Sequence, residues 1–241
     1  MIIIGNKIVA TNGSDAIKAG DVISGGTADL TNISHSESKQ HKITLLGDYL
    51  TCLDTYPNNY PYWIKTRNPN LDITNLATES ATLTNDLYTQ SQSLSSTNCI
   101  CILAGFNDWN NSITLGEFTT DYSDITTNPT FYKGLYRLLY SVKNTYPTTP
   151  ILVLTPIIGT GTNSNGNTLK QFVDAIKEVA GNFAIPVCDL YSKSSVTNLT
   201  TTGASTFYAD NYHLSSAGSE RISYLIEDSI KETIEGFGGK W

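Results

Sequence analysis

The 241-residue chain carries 15 Lys and Arg against 22 Asp and Glu, for a formal net charge of −7, with 39% hydrophobic and 15% charged residues. Such a length buries a full core and reads as one main domain of generous size. The acidic balance, with no Lys/Arg cluster long enough to follow a phosphate backbone, argues against a nucleic-acid partner, and no apolar stretch approaches a membrane span.

The start of the chain, Met1-Ile2-Ile3-Ile4, is too short for the apolar core of a signal peptide. A soluble protein is expected, in the cytoplasm, in a virion, or as a mature secreted form. A surface rich in Ser, Thr and Asn but poor in charge suits the last two. Residues 1–40 differ from the rest: one strand-like run, Ile2 to Ala10, then small polar residues punctuated by Gly20, Gly25 and Gly26. They read as an N-terminal arm or small hairpin, with residues 41–241 as the main domain. An exposed apolar first strand invites pairing with another chain, which makes residues 1–40 a candidate contact for a homo-oligomer or a virion partner.

From Lys42 onward, short apolar runs alternate with longer amphipathic ones. Strands are expected at Ile43–Leu46, Leu71–Leu76, Cys99–Ala104, Ile151–Thr155 and Ile185–Leu190. Helices are expected at Leu50–Lys65, Ser80–Ser95, Phe131–Tyr146, Thr168–Gly181 and Ser215–Glu235. Phe131, Leu135, Leu138, Leu139 and Val142 recur at helical spacing, as do Phe172, Ile176 and Val179. Near-continuous apolar strands separated by helices imply a five-stranded parallel sheet covered on both faces, a three-layer α/β/α sandwich of flavodoxin-like type. Cys99 and Cys101, two apart in a strand, share one face. With Cys52 and Cys188 they match neither a zinc spacing nor a disulfide scaffold, so buried free thiols are the default.

A parallel sheet gathers the loops after its strands, and three of these carry chemistry-bearing residues. The first strand ends in Gly47-Asp48-Tyr49. The third ends in Gly105-Phe106-Asn107-Asp108. Ahead of the last helix comes Asp210-Asn211-Tyr212-His213, with Gly218 soon after. Each block alone is ordinary turn composition; their order, spacing and position at strand ends together resemble the SGNH (GDSL-type) hydrolases. That family holds serine esterases, lipases and sugar or peptidoglycan deacetylases. The likeness runs from about Lys42 to Glu235.

The resemblance implies roles residue by residue. His213 matches the general base and Asp210 the group that orients it. Asn107 matches the side-chain donor of the oxyanion hole, and Gly105 the small residue that lets its loop pass close by. Ala77, within Asn75-Leu76-Ala77, stands where the family has the oxyanion-hole glycine and offers its backbone N–H. Gly47, Asp48, Asp108 and Trp109 flank these groups as binding-site residues. Trp109 with Tyr60, Tyr62 and Trp63 would suit a sugar platform; the plainer reading has them packing the sheet edge.

One position departs sharply. Tyr49 stands where the family has its nucleophilic serine. A phenol oxygen lies a whole ring further out than a serine Oγ and overshoots the point between base and oxyanion donors, whereas acyl transfer needs reacting atoms about 3–3.5 Å apart. The leading expectation is an esterase-like protein with lost or much reduced activity. A second keeps turnover through Tyr49 itself or a water activated by His213 and Asp210. A third has Tyr49 substituted into an otherwise active esterase. Without catalysis, the alternative use of the fold is a structural or glycan-binding module, such as a phage tail component. The expected ligand is a small acyl ester or an acetylated glycan. No cofactor is implied: no glycine-rich nucleotide loop follows a strand, and the three histidines and the acids show no metal-ligand spacing.

Overall fold

The structure is a computed structural model that describes residues 41–52, 58–157, 159–239 and 241, with the backbone of residues 2–4 and 7–9. The chain forms two compact units, Met1–Gln40 and His41–Trp241. In the first, β1 (Ile2–Ile4) and β2 (Lys7–Val9) pair antiparallel, Ile3 opposite Ile8. The strand expected over Ile2 to Ala10 is thus described as two paired pieces, with Gly5, Asn6 and Ala10 outside the described residues. The glycine-punctuated segment at 10–40 lies outside the described residues.

The second unit is built on five parallel strands: β3 (Lys42–Gly47), β4 (Asp72–Asn75), β5 (Cys99–Leu103), β6 (Ile151–Leu154) and β7 (Val187–Cys188). They lie in the order β4-β3-β5-β6-β7. Every residue of β5 and β6 is buried, as a sheet covered on both faces requires. The helices are α1 (Tyr60–Arg67), α2 (Asp86–Ser91), α3 (Phe106–Asn110), α4 (Phe131–Thr145), α5 (Leu169–Asn182), α6 (Leu190–Lys193), α7 (Thr201–Phe207) and α8 (Ser216–Gly236). Helix α8 packs with α1 and against β5, β6 and β7, while α4 packs with both α2 and α5. Phe131, Leu135, Leu138, Leu139 and Val142 of α4 are fully buried, as are Phe172, Ile176 and Val179 of α5. Thr168 caps α5 in a box with Gln171, and the Ser215 hydroxyl caps α8 by accepting from Gly218 N.

Three elements are shorter than their periodicity suggests. The helix expected over Leu50–Lys65 begins only at Tyr60, because Pro61 has no N–H and fits the first turn, not an interior. Before it, Thr51 N and Cys52 N both donate to Asp48 O at 2.9 Å, closing a turn. The helix expected over Ser80–Ser95 shrinks to α2. Ahead of it, Asp86 Oδ2 takes Thr82 N and the Asp108 carboxylate takes Leu83 N and Thr84 N, so side chains capture donors a helix would need. The fifth strand keeps only Val187–Cys188, and Leu190 opens α6 under an Asp189 cap.

In this strand order the chain reverses direction of winding between β3 and β5. Such a switch point opens a crevice beyond the carboxyl ends of the two strands. Gly47 ends β3 and Gly105 follows β5, so two of the three blocks flank it.

Candidate active site

The turn after β3 is braced from three sides. Gln90 of α2 grips Gly47 with both ends of its amide: Gly47 N donates to Oε1 at 2.9 Å and Nε2 donates to Gly47 O at 3.0 Å. Asn59 Nδ2 donates to Tyr49 O at 2.8 Å and to Cys52 O at 2.6 Å. Thr51, two residues past Tyr49, is turned away and shares a hydrogen bond with the Tyr60 hydroxyl at 3.3 Å. A Cβ on Gly47 would stand 2.8 Å from Leu103 O and 2.5 Å from Thr51 Oγ1, so only glycine fits.

Asp210 and His213 are brought together by their own loop. A bridge between Tyr208 and Leu214, with Ala209 N donating to His213 O at 2.8 Å, pins the loop ends side by side. Between them Asp210 Oδ1 accepts from Tyr212 N and His213 N at 2.8 and 2.7 Å, and Oδ2 lies 2.6 Å from His213 Nδ1. Burial works to raise the Asp210 pKa. The His213 N–H, its imidazole and the Tyr212 N–H outweigh that and hold the carboxyl down at about 2. An ionised carboxylate at Nδ1 leaves Nε2 as the basic nitrogen of a neutral imidazole.

Tyr49 is 5% exposed and its ring stands edge-on to the His213 imidazole, 5.0 Å between centroids. Its hydroxyl donates to Tyr212 O at 3.3 Å. Phe106, the first residue of α3, meets the rings of both Tyr49 and Tyr212 at 5.9 and 5.8 Å.

The two groups matched to the oxyanion hole are partly occupied. Ala77 is not among the residues with positive φ, so alanine is unstrained there, but its N–H donates to Asn75 Oδ1 at 3.0 Å. Asn107 Nδ2 donates to Ala81 O at 3.0 Å, which leaves one of its two N–H bonds. Gly105 has φ +112°, a conformation that suits glycine, and a Cβ would crowd Ile176.

Two acids flank the turn without facing solvent. Asp108 accepts from Leu83 N, Thr84 N and Thr84 Oγ1 at 2.7, 3.0 and 2.5 Å, tying α3 to the segment before α2. Burial raises its pKa against those bonds. Asp48 is fully buried; burial pushes its carboxyl up to about 7, the Leu50 N–H pulling the other way and Asp108 adding to the rise. Only Oδ1 has a partner, Leu50 N at 3.1 Å, and Oδ2 has none among the described residues. Trp109 is buried against Phe106 at 5.5 Å with its indole N–H on Asn167 O. Tyr60 is buried on Thr51, and exposed Tyr62 pairs with Trp63. Packing accounts for these rings without a shared platform.

A family model for GDSL-like lipases and acylhydrolases matches residues 34–221. The chain belongs to the GDSL-like lipase/acylhydrolase family. Among solved structures, a protein of Lactobacillus plantarum is 22% identical with a TM-score of 0.72, over 79% of this chain and 96% of that one. The lipase/acylhydrolase of Enterococcus faecalis is 20% identical, TM-score 0.58, over 79% and 95%. An acetyl xylan esterase is 15% identical, TM-score 0.60, over 78% and 99%. At these identities the likeness shows the fold. No curated protein sequence matches the chain significantly.

Within the GDSL-like fold, the three-residue spacing allows Asp210 to pair with His213, and the placing of Tyr49 beside them is what the resemblance implies. Gln90, Phe106 and the Tyr212 carbonyl were not singled out, since their roles exist only once distant elements meet. Among the described residues, no cluster of three His, Cys, Asp or Glu could hold a metal ion, and no helix is long and apolar enough to cross a membrane.

Proposed function

We propose that this chain is an ester-hydrolase scaffold in which Tyr49 takes the place of the nucleophile, so that acyl transfer is lost or much reduced. The observation that carries this reading is the Tyr49 side chain itself. Its hydroxyl is on Tyr212 O and its ring stands edge-on to the His213 imidazole, so a ring and not a hydroxyl lies beside the base. In an active site of this plan, His213 Nε2 takes the nucleophile's proton and returns it to the leaving alcohol, Asp210 steadies the imidazolium, and the remaining Asn107 amide hydrogen receives the oxyanion, joined by the Ala77 N–H only once Asn75 Oδ1 releases it. Gly47 and Gly105 let the two turns pass close to their neighbours, and Asp48 and Asp108 fix those turns by accepting from backbone N–H groups. The substrate class is a small acyl ester or an O-acetylated sugar, the latter supported by the fold shared with an acetyl xylan esterase.

The test is hydrolysis of p-nitrophenyl acetate by the parent, Tyr49→Ser, and Tyr49→Ser combined with His213→Ala. Turnover is expected in Tyr49→Ser alone. Parent turnover abolished by His213→Ala would show instead that Tyr49 or a His213-activated water serves the chemistry. Residues 1–40 are proposed as an attachment or assembly segment; light scattering on the full chain and on residues 41–241 tests this, an unchanged oligomeric state removing it.

A further inference from the structure

Beside the His213 loop lies a cavity of about 610 Å³, walled by α3 and its following loop, the 160–164 loop, and the 198–212 segment. That volume is ordinary for a small-molecule site, roughly 300–1,000 Å³, but the lining is not the usual apolar one. Trp109, Ser112, Asn163, Asn198, Asp210 and Tyr212 represent its chemistry. The remainder is Asn, Ser and Thr with one alanine, Ala204. Among the described residues no Lys or Arg lines it, and the one carboxylate among them, Asp210, is already engaged by His213 and two backbone N–H groups.

Each ligand class meets this wall differently. A long acyl chain finds no aliphatic side chain larger than a methyl group. A phosphate or carboxylate finds no cation and one fixed negative charge. A neutral polyhydroxylated ring finds amides that both donate and accept, hydroxyls that do either, and two aromatic rings for its C–H face. The walls are also set in advance. Trp109 Nε1 donates to Asn167 O at 2.9 Å and Asn163 Nδ2 to Trp109 O at 3.1 Å. Ser164 N donates to Ser112 Oγ at 3.0 Å and Asn165 Nδ2 to Ser112 O at 2.6 Å. Asn198, by contrast, has its Oδ1 buried without a partner among the described residues, a state that turning its amide toward a bound hydroxyl relieves.

We infer that this cavity is a binding site for a neutral oligosaccharide that need carry no acyl group. This goes beyond the ester reading, because affinity here depends on the cavity wall and not on the fate of Tyr49. Exposed, hydrogen-bond-dominated contacts of this kind give affinities on the order of millimolar.

Titration calorimetry or ligand-observed NMR on the full chain decides the matter, with xylotetraose, maltotetraose and N-acetylchitotetraose as neutral probes and tetragalacturonate and p-nitrophenyl octanoate as counter-probes. At least one neutral probe is expected to bind, equally well in Tyr49→Ser. Asn198→Ala and Tyr212→Ala, each checked for fold by circular dichroism, are expected to weaken it about 5- to 10-fold. Tyr140→Ala, on the exposed side of α4, should leave it unchanged. No neutral probe bound at 10 mM ligand (about the weak limit of such sites), equal binding of tetragalacturonate, or indifference to both cavity variants would overturn the inference. Failure of Tyr49→Ser to hydrolyse p-nitrophenyl acetate would sink the ester reading and leave this one standing.

Discussion

The Tyr49 ring meets the His213 imidazole edge-on, at 84° between planes, while its hydroxyl passes on to the carbonyl of Tyr212. The ring and the hydroxyl are therefore separable. Tyr49→Phe keeps the ring contacts and loses one long hydrogen bond, for a cost of about 0.5–1.5 kcal/mol. Tyr49→Ser loses a nearly buried ring and should cost more, about 2–4 kcal/mol. Denaturant melts of the two variants check the order. A Tyr49→Phe variant that loses a turnover the parent possesses would make the phenol a nucleophile.

The Asp210 carboxyl is held down at about 2, below an ordinary aspartate. A depressed pKa contributes stability above the unfolded value, near 3.8, which is lost as pH falls through about 2. Half the side chain faces solvent, so the effect on stability is small and the carboxyl's own titration is the better readout. Carbon-detected NMR should place its midpoint near 2; a midpoint at or above 3.8 would refute the tight pairing. In a Tyr49→Ser background, Asp210→Asn should lower turnover about 100-fold or more, by releasing the imidazole.

Asp48 moves in the opposite sense. Its carboxyl is pushed up to about 7, so any difference from a neutral residue is absent below the unfolded value near 3.8. As pH rises toward 7 the unfolded chain ionises and the folded one resists, and stability falls. Comparing the parent with Asp48→Asn removes fixed costs such as an unpaired amide hydrogen. Between pH 4 and 8 the parent should lose on the order of 2–4 kcal/mol relative to the variant. A difference that stays flat with pH would show that Asp48 ionises freely.

Gln90 and Gly47 act as a unit. Gln90→Leu leaves the buried Gly47 N–H without its acceptor and takes one of two donors from Gly47 O, which keeps Thr78 N at 3.2 Å, for about 1–3 kcal/mol. Gly47→Ala drives a methyl into Leu103 O and Thr51, and overpacking of that kind costs about 1–3 kcal/mol. Melts of the two single variants and the double variant should fall short of additivity, because both release the same turn.

Ion pairs of this chain should differ by burial. Glu227, shielded from solvent, binds Arg67, Lys231 and Asn68 between α1 and α8, whereas Lys170–Asp174 sits exposed on α5. Glu227→Ala removes a nearly buried carboxylate from two partly exposed cations and from Asn68, and should cost about 1.5–3 kcal/mol. Asp174→Ala should cost less than about 0.5 kcal/mol. Thermal melts of both decide it, and equal losses would refute the distinction.

The sheet was legible because β5 and β6 are buried on both faces and so read as unbroken apolar runs. Helices α4, α5 and α8 were legible because their stripes repeat over many turns. The ends of α1 and α2 were not, since Pro61 and the carboxylates of Asp86 and Asp108 decide them through local competition for backbone N–H groups. At the site, Asp210 and His213 were readable because one short loop holds both. Gln90 sits forty-three residues from Gly47, and nothing in either neighbourhood marks the pair. The capture of the Ala77 N–H by Asn75 Oδ1 was equally hidden, being a local side-chain-to-backbone turn of a kind that asparagine forms in many loops.

The brace that Gln90 and Asn59 place on the turn after β3 holds the backbone, not the side chain at Tyr49. Tyrosine and serine codons differ by a single base. A lineage carrying this gene thus stands one point mutation from presenting a hydroxymethyl group on an already rigid turn, beside an imidazole already oriented. Natural sequence variation at this position in close relatives would be a record of how often that step has been taken, and in which direction.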